Sequence, residues 1–197
     1  MRSLTTAPKH SNQWKKESEY SSASVNSDSV SELMTNEPPQ QPNILVIGIG
    51  NAYRSDDAAG LIAARQVREQ VSEHCSVIEH TGEGAGLMEL WKGADRVIVI
   101  DAVRSGAVPG TVSRFDGTLR PLPASMFRDS THAFSLVEAV ELSRALDQLP
   151  RQLIVYGVEG QKFEVGTDLS PAVEVGIQSV AERVLQEVLQ NVPNSQT

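Results

Sequence analysis

The sequence predicts one α/β domain, a three-layer sandwich in which a mostly parallel central sheet carries helices on both faces. Near-continuous apolar runs at residues 43–49 and 96–103 are typical of parallel strands that are buried on both sides. Segments with helical periodicity separate the predicted strands, and strands that alternate with helices form parallel sheets through right-handed crossovers. The 197 residues and the hydrophobic fraction of 40% are sufficient for one packed core.

Each element is predicted from the pattern of its apolar residues. In helices they recur at intervals of three and four residues, and in buried strands they form near-continuous runs. The first helix is expected to take Ser55 or Asp56 as its N-cap. In order, we predict a strand at 43–49, a helix at 56–74, a strand at 76–80, a helix at 85–91, a strand at 96–103, an edge strand at 111–115, a helix at 131–149, a strand at 151–158 and a last helix from Pro171.

Residues 1–41 differ from the rest of the chain in composition. They are dominated by Ser, Asn, Gln, Glu and Pro and contain too few apolar residues to offset the entropy of ordering. We predict a disordered tail at 1–41, an α/β domain at 42–192 and a short C-terminal tail at 193–197. An inert extension is favoured over a docking peptide for the first segment.

Charge and cysteine content exclude several classes of protein. The net charge of −8, with its basic residues scattered among acids, argues against a nucleic-acid partner. Cys75 is the only cysteine, so neither an intrachain disulfide nor a cysteine-rich zinc site can form. No apolar run follows the N-terminal lysines, and no segment has the length of a transmembrane helix. We therefore expect a cytoplasmic monomer that contacts neither membrane nor nucleic acid.

Three polar side chains are predicted near the carboxyl ends of the strands, where open parallel sheets bind their ligands. Asp57 follows the first strand, Asp101 ends the strand at 96–103, and His132 lies where a loop meets a helix. Two carboxylates and one imidazole leave coordination positions open, which suits a borderline divalent metal such as nickel or zinc. His80, at the end of a short strand, is a weaker candidate.

Each of these residues also has a structural interpretation. An acid in the first turn of a helix stabilises the helix dipole, so one member of the Asp56-Asp57 pair is expected to cap the helix or to orient a metal ligand. Asp101 can instead accept hydrogen bonds from loop N–H groups. A single histidine such as His132 is more often structural than liganding. The pattern becomes specific only when the three side chains are considered together.

Gly48 and Gly50 invite comparison with a dinucleotide-binding loop. That motif requires a third glycine where Tyr53 stands, and the acids at positions 56 and 57 would repel a pyrophosphate at the helix N-terminus. We therefore interpret the two glycines as making a tight, closely packed turn.

Over about residues 43–190 the chain resembles the hydrogenase maturation endopeptidases. The motifs that carry the resemblance are Gly48-Ile49-Gly50-Asn51, the pair Asp56-Asp57 followed by Gly60, Gly82-Glu83-Gly84 with Leu87, Val99-Ile100-Asp101-Ala102, Pro109-Gly110-Thr111, and Ser130-Thr131-His132. Many relatives carry Asp-Gly-Gly-Thr where this chain has Thr81-Gly82-Glu83-Gly84, a change expected to affect the substrate subtype.

The resemblance implies an endopeptidase that removes the C-terminal extension from the precursor of a nickel-iron hydrogenase large subunit. It also implies that Asp57, Asp101 and His132 form both the catalytic and the metal-binding triad, and that nickel is bound transiently through the substrate. One alternative is a chaperone or carrier that holds a nickel-bearing partner without cutting it. A less favoured alternative is a peptidyl-tRNA hydrolase, which would carry a histidine shortly after Asn51 and a basic surface; this chain has neither.

Overall fold

The computed structural model describes residues 43–71, 75–127 and 134–190. The predicted tails at 1–41 and 193–197 lie outside these residues and stay predictions, as do the exact limits of the domain. Within the described residues, no helix combines the length and the apolar character needed to cross a membrane.

In the part of the chain that the structure describes, five strands and four α-helices follow one another in the order that the sequence predicts. They are β1 (Ile44–Ile49), a 3-10 turn (Ser55–Ala58), α1 (Ala59–Arg68), β2 (Cys75–His80), α2 (Gly84–Leu90), β3 (Arg96–Val103), β4 (Val112–Asp116), α3 (Leu136–Ala145), β5 (Gln152–Glu159) and α4 (Pro171–Leu189).

The five strands form one sheet in the order β2-β1-β3-β5-β4. The first four of these are parallel, and β4 runs antiparallel to β5 at one edge. The connection through α1 leads from β1 to β2 on one side, whereas β3 lies on the other side of β1. The order of the strands therefore reverses at the carboxyl end of β1. Ligand clefts of open α/β sheets form at such a point.

Helices cover both faces of the sheet, which confirms the three-layer prediction. Alternate side chains of β1 point to opposite faces, so that Ile44 and Val46 pack with α1 and α4 while Leu45 and Ile47 pack with α2 and α3. All six residues of β1 are buried. Burial on both faces explains why the strand is apolar at nearly every position rather than at every second one.

Two predicted helices are shorter in the structure. α1 ends at Arg68, but Val71 still packs against the core from the turn that follows, so the apolar periodicity extends past the helix. α3 begins at Leu136 because Ser135 and Glu138 form a capping box that ends the preceding loop. The predicted first residues of this helix, 131–133, lie outside the described residues.

The expected N-cap of the first helix is wrong. Arg54 is the N-cap of the 3-10 turn and Ala58 is the N-cap of α1, and neither makes a side-chain capping hydrogen bond. Ser55 instead has a positive φ of 49°, and Asp56 directs its carboxylate to another part of the chain.

Candidate active site

The start of the first helix lies directly on the carboxyl ends of two strands. A Cβ atom on Gly60 would come within 2.3 Å of the carbonyl oxygens of both Ile49 and Ile100, so only glycine allows this approach. Gly50 has a φ of +151°, and a Cβ there would lie 1.9 Å from the carbonyl oxygen of Asp57. The glycines therefore make the tight turn that the sequence predicts, and this turn places Asp57 at the ends of β1 and β3.

A cleft with a volume of about 600 Å³ opens at this edge of the sheet. It contains Asp57 and Asp101, two of the three predicted site residues. The other polar or charged residues that line it are Asn51, Tyr53, Arg54, Arg65, Glu79, His80, Thr81 and Ser135, and its apolar lining includes Ile49, Leu61, Met126, Phe127 and Leu136.

The two carboxylates of the cleft influence each other. Burial first, and then the negative charge of Asp57, raise the pKa of Asp101 to about 7, although a hydrogen bond from the Ala102 N–H opposes the change. Asp101 thus accepts one backbone hydrogen bond, as expected of a carboxylate with a structural role. It also shares the cleft with a second acid, Asp57. Two acids whose charges repel each other favour the binding of a cation.

His132, the third predicted member of the site, lies outside the described residues, and its role stays a prediction. His80 lies inside the cleft, although the sequence marks it only by its position at the end of a strand. Its Nδ1 accepts a hydrogen bond from the Gly82 N–H at 3.0 Å, which leaves the proton of the neutral ring on Nε2. A Cβ on Gly86 would lie 2.7 Å from that Nε2, so the ring packs against the first turn of α2.

The His80 imidazole does not complete a metal site with the two acids. Among residues 43–71, 75–127 and 134–190, no group of three or more His, Cys, Asp or Glu side chains is arranged to hold a metal ion.

Asp56 has a structural role that the sequence does not reveal. Its side chain is fully buried. Its two oxygens accept hydrogen bonds from the backbone N–H groups of Gln161, Lys162 and Ser170 and from the Ser170 hydroxyl, at 2.7–2.8 Å. The carboxylate therefore ties the loop after β1 to the loop before α4, instead of capping the first helix or reaching into the cleft.

Replacing Asp56 with asparagine is expected to destabilise the fold by about 2–4 kcal/mol, because an amide would point N–H groups at backbone donors that now bond a carboxylate. Burial alone would raise the pKa of Asp56, but the hydrogen bonds from Ser170, Lys162 and Gln161 hold it below its ordinary value of 3.8. The stabilisation is therefore present above about pH 4 and is lost as the pH falls below that value.

Denaturant unfolding of wild type and Asp56→Asn at about pH 7 and about pH 3 measures both effects. Asp168→Asn is the matched control, since it removes the same charge from an exposed position in the loop before α4, to which Asp56 is hydrogen-bonded. Equal destabilisation by the two substitutions would contradict the role assigned to Asp56.

Glu83 explains one departure from the family pattern. Its carboxylate accepts hydrogen bonds from the N–H groups of Ala85 and Gly86, both at 2.8 Å, and so caps the N-terminus of α2. The neighbouring Thr81 and Gly82 line the cleft. In the segment Thr81-Gly82-Glu83-Gly84, Glu83 thus caps α2, and Thr81 and Gly82 form part of the cleft wall.

The chain is similar in sequence and fold to one family of known proteins. A sequence model described as hydrogenase maturation protease matches residues 61–187. The hydrogenase expression/formation protein HoxM of Azotobacter vinelandii is 30% identical over 155 residues, which cover 72% of this chain and 74% of that protein. The hydrogenase 2 maturation protease of Escherichia coli is 27% identical over 147 residues, covering 72% and 88% of the two chains.

Solved structures are similar as well. The [NiFe] hydrogenase maturation protease HybD from Thermococcus kodakarensis superimposes with a TM-score of 0.60 at 27% identity, over 74% of this chain and 98% of that one. HybD from Escherichia coli, at 22% identity and a TM-score of 0.63, shares the fold.

Proposed function

The chain belongs to the hydrogenase maturation protease family, and we propose that it removes the C-terminal extension from the nickel-loaded precursor of a nickel-iron hydrogenase large subunit. The family assignment makes the protein an endopeptidase, a hydrolase of peptide bonds. Its relative in Escherichia coli is named as the maturation protease of hydrogenase 2. The same assignment favours the protease over a peptidyl-tRNA hydrolase.

The pairing of Asp57 and Asp101 in one cleft carries the proposal. Burial and the charge of Asp57 raise the pKa of Asp101, and a divalent cation bound by the two acids would offset both effects. We propose that this cation is the nickel of the precursor, held transiently by the two acids and by His132. Nickel would supply the positive charge that polarises the scissile carbonyl group.

The cleft itself would hold the peptide around the cut. A volume of about 600 Å³ with both apolar and polar lining accommodates a short extended segment. The apolar side chains Leu61, Phe127 and Leu136 would exclude water from the peptide, and Asp57 and Asp101, at the carboxyl ends of the strands, would lie next to the bond to be cut. We propose that the protease works as a monomer. We propose that it acts in the cytoplasm.

Incubation of the purified protein with its nickel-loaded precursor tests this function. Mass spectrometry should detect a shortened large subunit and a free C-terminal peptide in equal amounts. Protein in which Asp57 is replaced by asparagine serves as the negative control. Stable binding of the precursor without any shortening would contradict the protease and support a nickel-site carrier.

A further inference from the structure

The loop after β1 lines one rim of the cleft, and a second loop, far away in the sequence, is hydrogen-bonded to it. Residues 51–55 follow β1 and residues 161–166 follow β5; together these two segments are named the lip. The N–H of Gly166 donates to the carbonyl oxygen of Tyr53 at 2.9 Å, and the N–H of Ser55 donates back to the carbonyl oxygen of Gly166 at 2.8 Å. The two loops therefore form one hydrogen-bonded unit.

Buried contacts hold the lip in place from below. Phe163 is buried, and the guanidinium of Arg104 lies 4.5 Å from the centre of its ring. Arg54 donates through Nε to the carbonyl oxygen of Phe163 at 3.2 Å. The buried carboxylate of Asp56 binds two backbone N–H groups of the second loop at 2.8 Å. A surface fixed in this way loses little conformational entropy when a partner binds.

The lip exposes two large apolar side chains to solvent. Tyr53 is 74% exposed and Val165 is 90% exposed. Single exposed apolar residues are common, but these two belong to one hydrogen-bonded unit, and Tyr53 also lines the cleft. Tyrosine is enriched among the residues that contribute most to protein–protein affinity. The cleft and the apolar part of the lip are therefore continuous.

We propose that the lip is the surface on which the folded part of the large-subunit precursor docks, with Tyr53 and Val165 as its apolar contacts. The inference rests on the function proposed above. A cleft of about 600 Å³ takes only a short stretch of chain. A specific protein complex buries about 800 Å² on each partner. Most of the contact with a folded precursor must therefore lie outside the cleft, and the lip is the rim that adjoins Asp57.

The experiment compares wild type with the double variant Tyr53→Ser/Val165→Ser, using the complete nickel-loaded precursor. The matched control is Leu119→Ser. Leu119 is 76% exposed, but it lies in the turn after β4, near the amino end of β5 and so at the edge of the sheet opposite the cleft. Thermal melting confirms that all three proteins fold. Cleavage rates at increasing precursor concentration then yield KM and kcat separately.

We expect the double variant to raise KM about ten- to a hundredfold, with a smaller change in kcat, because two contacts to the precursor are lost. Leu119→Ser should leave KM within about twofold of wild type. An unchanged KM in the double variant, with normal cleavage by wild type, overturns the docking surface and leaves the protease function standing.

If wild type binds the precursor without cutting it, the protease function is wrong. The Kd for the precursor is then compared between wild type and the double variant, and an unchanged Kd overturns the docking surface as well. A wild-type dimer that the double substitution converts to a monomer would identify the lip as a contact between two copies of this chain. That result, or a failure of wild type to bind the precursor, also overturns the proposal.

Discussion

Asp57→Asn and Asp101→Asn are each expected to reduce processing of the precursor at least about a hundredfold. Both substitutions remove a negative charge from the cleft while preserving the shape of the side chain, so the site loses its attraction for a cation without a packing defect. Folding should survive. Asp101→Asn should melt no lower than wild type, because the amide removes a charge that burial and the neighbouring Asp57 disfavour.

The third position of the triad is tested by comparing two histidines. His132→Ala is expected to abolish processing, whereas His80→Gln should reduce it less, since the His80 ring already bonds Gly82 and packs against α2. Processing is followed by the mass of the large subunit, and folding by circular dichroism. If His80→Gln is inactive while His132→Ala processes normally, His80 replaces His132 as the third member of the site. If Asp57→Asn matures its precursor at the wild-type rate, the assignment of the acid pair is wrong.

Cleavage is expected only when the precursor already contains nickel. Two carboxylates and one imidazole leave the metal shell incomplete, so the remaining ligands must come from the substrate. The nickel-free precursor should therefore be cut at least about a hundredfold more slowly than the nickel-loaded form. The measurement is the mass of the large subunit after equal incubation of matched precursors with and without nickel.

The metal content of the purified protein gives a second observation on the same point. Nickel or zinc held by an incomplete shell should be lost on dialysis, and the melting temperature should not change when it is lost. A closed structural site would keep its metal and would unfold when stripped. Equal cleavage of the nickel-loaded and nickel-free precursors would exclude recognition of the metal and would indicate specificity for the peptide sequence instead.

Much of the fold could be predicted because its signals are local. The runs at β1 and β3 are apolar at nearly every position since both faces of these strands are buried. Pro171 marks the first residue of α4, where its missing N–H has no helical partner to lose. The errors are also local in origin: α1 ends at Arg68, but the apolar spacing continues to Val71, which reaches the core from a turn.

The residues of the candidate site that lie at or just after the ends of strands could be predicted from the sequence. Asp101 is found from its position at the end of an apolar strand, and Asp57 from its position in the segment that follows the first strand. The presence of His80 in the same cleft required the pairing of β2 with β1, in which Ile49 lies opposite His80. A strand of six residues does not by itself indicate which neighbour it will pair with.

The sequence alone therefore determined the layer architecture, the order of the elements and the edge of the sheet at which the acids lie, because periodicity and turn preference depend on residues only a few positions apart. The tertiary structure decided the role of Asp56, whose partner Gln161 is 105 residues away in the sequence. It also decided that Tyr53 and Val165 are exposed in two loops that are hydrogen-bonded to each other. Such contacts depend on where distant segments lie once the core has packed, and no local pattern records that position.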